Sequence, residues 1–171
     1  IVSGDKVVVF DTGAPRQRPA ICKGLKANGV SPKEVTHVIQ SHLHGDHTGN
    51  LGMFQNALYY TATSLNDKFD FKFNVISKES PELVLDSNLK LVMTPGHSGG
   101  TTDKSLIVDN EETYGKIAFV GDLFADENDV HNTDVVDSQK KVVCDEKVDY
   151  IVPGHGKLFK VGPDIKSKLG C

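Results

Sequence analysis

At 171 residues and 18.6 kDa the chain is the size of one domain and long enough to bury a sizeable core. Its 38% hydrophobic and 25% charged content is that of an ordinary soluble globular protein, and no apolar run approaches the length that spans a bilayer. The net charge of −4, with cations clustered only at Lys140-Lys141 and at Lys166 and Lys168, argues against a large phosphate-binding face. In chain order, the β-branched run Lys6 to Phe10 predicts a strand that stops at the turn Asp11-Thr12-Gly13. Helical spacing follows from about Arg18 to Ala27 and closes at Asn28-Gly29. Ser31-Pro32-Lys33-Glu34 has the form of a capping box and predicts a single helical turn. Val35 to Gln40 reads as a second strand, Thr48 to Met53 as a short helix and Ala57 to Thr61 as a strand.

Leu65 to Ser80 alternates polar residues with Phe69, Phe71 and Phe73, as an edge strand or a loop bordering a site would. Satellite core packing is the expected role of these rings, ahead of a substrate-stacking platform. Glu82 to Leu85 and Leu89 to Met93 predict a hairpin around Asp86-Ser87-Asn88, and the second strand runs into Thr94-Pro95-Gly96-His97. Ser105 to Val108 pairs with Lys116 to Val120, which ends in Gly121-Asp122. Asp134 to Glu146 predicts a helix, and Tyr150 to Val152 a last strand ending in Pro153-Gly154-His155-Gly156.

The stretch Ser41-His42-Leu43-His44-Gly45-Asp46-His47 reads as a metal site. In an extended segment His42 and His44 fall on one side and can grip one cation; Gly45 lets the backbone turn, after which Asp46 and His47 can face a second. Imidazole suits zinc and iron, and a carboxylate adds an anionic oxygen. The same device recurs at His97, Asp122 and His155: a strand ends, a glycine permits a sharp turn, and a metal-competent side chain sits at the tip. Five of the seven histidines occupy such tips. His37, inside a strand, reads as a core or face histidine, and His131 as bordering the site or exposed.

Cys22, Cys144 and Cys171 are odd in number and widely spaced, so neither a disulfide framework nor a thiolate zinc site is expected. A reducing compartment, cytoplasmic or nuclear, is the default, and the lack of any Asn-X-Ser/Thr acceptor agrees with it. The chain starts at Ile1 rather than methionine and with no signal peptide, which predicts a fragment or excised domain.

The His-X-His-X-Asp-His motif, with Asp11-Thr12-Gly13 before it and Pro95-Gly96-His97, Gly121-Asp122 and Pro153-Gly154-His155 after it, resembles the metallo-β-lactamase superfamily over nearly the whole chain. A closer likeness is to the branch of metallo-β-lactamase domain-containing protein 1 and its invertebrate relatives. It rests on Val35-Thr36-His37-Val38, Gly49-Asn50-Leu51-Gly52-Met53-Phe54, Gly121-Asp122-Leu123-Phe124 and Val152-Pro153-Gly154-His155-Gly156. The resemblance implies an α/β fold, the αββα sandwich of two mixed sheets covered by helices; the strands that usually precede Asp-Thr-Gly are either trimmed here or belong to chain before Ile1.

It also implies two metal ions, zinc first, with iron or manganese as alternatives. His42, His44 and His97 would hold one, Asp46, His47 and His155 the other, and Asp122 would bridge them. Asp46 and Asp122 would act in catalysis, with hydroxide held between the ions as the attacking group. Asp11 would orient a ligand histidine or simply cap its turn. The closer likeness implies an endoribonuclease of the histone pre-mRNA type, acting on single-stranded RNA. The alternatives are a thioester or other carbonyl hydrolase like glyoxalase II acting on a small molecule, a mono-iron persulfide dioxygenase, and a non-enzymatic metal-binding module. No membrane partner is expected, and a homodimer stays open.

Overall fold

A computed structural model describes residues 1–67, 70–73, 75–100, 102–110, 113–130 and 135–171. The chain divides into two compact units, Ile1–Val75 and Ile76–Cys171, each built on its own six-stranded mixed sheet.

In the first unit β1 (Val2–Ser3), β2 (Lys6–Phe10), β3 (His37–Ile39), β4 (Leu58–Thr61), β5 (Ser64–Asp67) and β6 (Asp70–Lys72) lie side by side in chain order. The pairs β2–β3 and β3–β4 are parallel, and the rest are antiparallel. A parallel pair needs a long crossover, and α1 (Arg18–Ala27) supplies it between β2 and β3. Ile21 and Leu25 of α1 pack with Val7, Val9, Val35, Val38, Met53, Phe54 and Ala57, so the helix covers one face of the sheet.

In the second unit β7 (Glu82–Val84), β8 (Leu89–Met93), β9 (Lys104–Asn110) and β10 (Gly115–Gly121) form an antiparallel meander. β11 (Tyr150–Pro153) then joins β10 in parallel, and β12 (Phe159–Lys160) pairs back onto β11. The crossover from β10 to β11 is a helical run, α3 (Val136–Lys140) continuing as a π-helix over Lys141–Asp145. Val142 and Val143 of that run, with Ile165 and Leu169 of α4 (Pro163–Leu169), bury against Val92, Ile107, Ala118, Val120 and Ile151 of the strands. Each such side chain contributes about 1.5–3 kcal/mol of hydrophobic free energy.

Several expectations are corrected. Phe71 and Phe73 are 56% and 73% exposed, so they are not satellite core; β6, which carries Phe71, is the edge strand of its sheet. Phe69 and His131 lie outside the described residues. The helix expected over Thr48 to Met53 is instead α2 (Gly45–Thr48) followed by a 3-10 turn at Leu51–Met53, because the turn at Gly45 already starts the helix. Ser31 to Glu34 makes one turn but no helix, and Glu34 Oε2 accepts the Ser31 N–H at 2.8 Å as in a capping box.

The expected absence of a disulfide is also overturned: Cys144 and Cys171 are bonded, with Cα atoms 5.8 Å apart. Burial of Ile165 and Leu169 seats α4 on the core, and Gly170, left-handed at φ +81°, turns the chain so that Cys171 meets the π-helix. The odd cysteine is Cys22, which is exposed, and unpaired cysteines no longer support a reducing compartment. No helix among the described residues is long and apolar enough to cross a membrane.

The disulfide spans 27 residues, for which loop-closure entropy in the unfolded chain amounts to about 3–4 kcal/mol. Cys171→Ser should therefore lower the urea-unfolding free energy by roughly that amount. Thiol titration of the native protein should find Cys22 alone, and three equal thiols in the unreduced protein would contradict the bond.

Candidate metal centre

The first unit gathers its candidate ligands through one carboxylate. β2 and β3 are parallel, so the turn after Phe10 and the loop after Ile39 leave the same edge of the sheet. Asp11 sits there with φ +60°, a left-handed conformation that Asp tolerates better than most residues. Its Oδ1 accepts the Ser41 N–H at 2.7 Å, and its Oδ2 accepts the Ser41 hydroxyl and the His47 Nδ1–H, both at 2.7 Å. The neighbouring residues close the join: Thr12 N–H donates to the His47 carbonyl at 2.7 Å and Gly49 N–H to the Gly13 carbonyl at 2.8 Å. The side chain of Asn50 donates to the carbonyls of Thr12 and Ala14 at 2.8 and 2.7 Å.

These contacts decide which ring nitrogens can bind a cation. An ionised carboxylate only accepts, so His47 Nδ1 carries the proton and Nε2 the lone pair. Ser41 gives its hydroxyl proton to Asp11 and must accept from His42 Nδ1 at 2.9 Å, which makes Nε2 the lone-pair nitrogen of His42 as well. His42 and His47 are each 2% exposed, so their rings are fixed by packing as well as by bonding. His44 and Asp46 face solvent. His42 Nε2 lies 2.9 Å from His44 Nδ1, and His47 Nε2 lies 3.8 Å from Asp46 Oδ2.

The second unit gathers the other three candidates around Asp122. β8, β10 and β11 run in one direction, so the loops bearing His97, Asp122 and His155 all leave the same edge. Gly121 has φ +56°, the left-handed turn that swings Asp122 out of the strand. Gly154 N–H donates to the Gly121 carbonyl at 2.6 Å and ties the His155 loop to it. Gly156 approaches so closely that a Cβ there would stand 2.2 Å from the Ala125 carbonyl oxygen. One oxygen, Asp122 Oδ2, lies 3.3 Å from His97 Nε2 and 3.5 Å from His155 Nε2.

Several spacings in these sets are those of neighbouring metal ligands. Ligand atoms about 2 Å from a tetrahedral zinc stand about 3.3 Å from one another. The pairs His42–His44, His97–Asp122 and His155–Asp122, at 2.9, 3.3 and 3.5 Å, bracket that edge. The donors are imidazoles and carboxylates without a thiolate, a set that serves zinc, iron or manganese.

Asp11 thus stands between the two buried histidines rather than merely closing its own turn. His37 is not among the ligand candidates: it lies over Tyr60 with ring centroids 6.0 Å apart, Nδ1 2.8 Å from Thr36 Oγ1, and burial holds the Tyr60 hydroxyl pKa above its ordinary value. The relay through Ser41 was not assigned a role from sequence; its place immediately before His42 was the available signal.

Comparison with known proteins bears on the whole arrangement. Residues 1–155 match the family model described as the metallo-beta-lactamase superfamily. The proteins named metallo-beta-lactamase domain-containing protein 1 are 34% identical over 90% of the chain in Rattus norvegicus and 33% identical over 94% in Xenopus laevis. The chain spans 63% and 71% of the length of those two relatives. A crystal structure of a putative metallo-beta-lactamase from Thermotoga maritima superposes with a TM-score of 0.71 at 19% identity, covering 94% of this chain and 86% of its own.

Asp11→Asn should lower metal affinity by about 10–100-fold, the usual effect of losing the partner of a ligand histidine, because an amide has one accepting oxygen and its NH2 must then face either the Ser41 N–H or the Ser41 hydroxyl and His47 Nδ1–H. Competition against a chelating dye reads this directly, and wild-type affinity in the variant would contradict it.

Proposed function

The chain belongs to the metallo-beta-lactamase superfamily, and from that premise we propose that it is a metal-dependent hydrolase of phosphodiester bonds that acts on single-stranded RNA. The observation that carries the hydrolase reading is Asp122: one carboxylate oxygen lies within 3.3 and 3.5 Å of two imidazole nitrogens, as a ligand shared between the ions that His97 and His155 would hold should do. In this reading His42, His44 and His97 hold one divalent ion and Asp46, His47 and His155 the other, with Asp122 shared. Zinc is the metal the reading favours, since neutral imidazoles with fixed tautomers and two carboxylates suit it. When bound, two such ions supply Lewis acidity and bring the pKa of water down toward about 7.

The chain's own residues do the rest. Asp11 and Ser41 hold His42 and His47 with Nε2 presented and prevent either ring from flipping. Asp46 is a half-exposed carboxylate that can take a proton from the attacking water and pass it to solvent. Asp122, 15% exposed, supplies negative charge beside both His97 and His155.

Two considerations support a phosphodiester. Such a substrate carries negative charge into the reaction and gains more in the transition state, so a doubly cationic centre stabilises it at least as well as a neutral carbonyl. The outer ligands also face solvent, with His155 59% exposed, which suits a long chain as readily as a small molecule. A net charge of −4 and few clustered cations leave the metals as the main hold on RNA, so the salt slope of binding should be shallow.

The expected outcome is slow cleavage of single-stranded RNA that requires metal, is abolished by chelators and by His44→Ala, and spares duplex DNA. Parallel assays with a thioester and a lactone complete the test. A fully metallated protein that leaves RNA intact while turning over a carbonyl compound efficiently would overturn the phosphodiester reading.

A further inference from the structure

Two adjacent buried polar side chains of α3 are aimed at the loops that carry His97 and Asp122. Ser138, 5% exposed, donates its hydroxyl to the Pro95 carbonyl at 2.7 Å, two residues before His97. Gln139, fully buried, donates from Nε2 to the Leu123 carbonyl at 3.0 Å, one residue after Asp122, and to the Asp129 carbonyl at 2.8 Å. A buried hydroxyl or amide is costly unless it is bonded, so a helix that needed only to pack would carry apolar residues here. The neighbouring Val142 and Val143 are such residues, and they supply the packing.

The run that bears Ser138 and Gln139 is also anchored at its far end. Lys141 pairs with Glu82 of β7 at 2.7 Å, and Glu146, just past the π-helix, pairs with Lys90 of β8 at 2.7 Å. β8 is the strand that leads into the His97 loop. The helix is therefore held to the sheet at one end and holds two loops at the other. We infer that Ser138 and Gln139 are positioning residues for metal binding, a bracket that sets the separation of His97 from Asp122. Each side chain fixes a carbonyl next to a candidate ligand. Asp103 steadies the same loop from inside, its carboxylate accepting the Ser98 N–H at 2.9 Å and the Ser98 hydroxyl.

The inference rests on the metal-centre reading, and the test separates the two. Zn2+ affinity is measured on the full chain by competition with a chelating dye, beside the melting temperature of the metal-free protein and the visible spectrum of the Co2+-substituted protein. The variants are Ser138→Ala and Gln139→Met, which remove the donors, and Val143→Ala, which opens a cavity in the same helical run without removing a hydrogen bond to either loop. Ser138→Ala and Gln139→Met should each weaken Zn2+ binding about tenfold, the low end of what outer partners of a metal site contribute, and should change the Co2+ spectrum. Val143→Ala should lower the melting temperature and leave both metal readouts as in wild type.

The inference is overturned if the two donor variants bind Zn2+ like wild type, or if Val143→Ala weakens binding as much as they do. Loss of the folded state in both donor variants would assign the pair to the fold alone and overturn it equally. Wild-type protein that takes up no Zn2+ or Co2+ would overturn the metal-centre reading itself.

Discussion

The Asp11 carboxylate is the interaction on which the first unit's site depends. It receives three hydrogen bonds, from the Ser41 N–H, the Ser41 hydroxyl and His47 Nδ1. Hydrogen bonds to a charged group contribute about 1.5–3 kcal/mol each, against about 1–3 kcal/mol for a strained backbone conformation such as that of Asp11 at φ +60°. The network therefore outweighs the strain, and the unusual backbone persists because it places both carboxylate oxygens over the His loop. Through Ser41 one group determines the tautomers of His42 and His47 together and leaves Nε2 of each neutral ring as the candidate metal-binding nitrogen.

The second unit reaches a comparable result by a different route. Its three candidate ligands are on loops, and their convergence depends on strand direction, on close approaches permitted by Gly121 and Gly156, and on carbonyls gripped from α3. In both units the loops leave from the carboxyl ends of strands that run the same way, which is where an open mixed sheet places functional side chains. The core beneath supplies rigidity: a sheet face sealed by α1 in one unit and by the π-helix and α4 in the other cannot shift its strand ends independently.

Much of this was legible in the sequence because the candidate ligands advertise themselves. His42, His44, Asp46 and His47 are compressed into one stretch, and His97, Asp122 and His155 each follow a glycine at a strand end. The strands were legible from β-branched runs such as Val7-Val8-Val9, though β3 is shorter than its apolar run, with Gln40 already beyond it. What escaped depends on long-range packing. Nothing local pairs Cys144 with Cys171, since the bond exists only because α4 docks on the core. Phe71 and Phe73 alternate as core residues do, yet both are exposed, and β6, which carries Phe71, is the edge strand of its sheet. Ser138 and Gln139 look like ordinary polar helix residues, because the carbonyls they hold lie 43 and 16 residues away in sequence.

The central claim, proposed above, is that these imidazoles and carboxylates bind transition-metal ions and that Asp122 is one of the ligands. Elemental analysis of the purified protein, run beside Asp122→Ala, tests it most directly. Two transition-metal ions per chain in the wild type, mainly zinc, and a loss of metal in a variant that still folds are the results this account predicts. One tightly held iron with no second ion, or full metal content in Asp122→Ala, would contradict it.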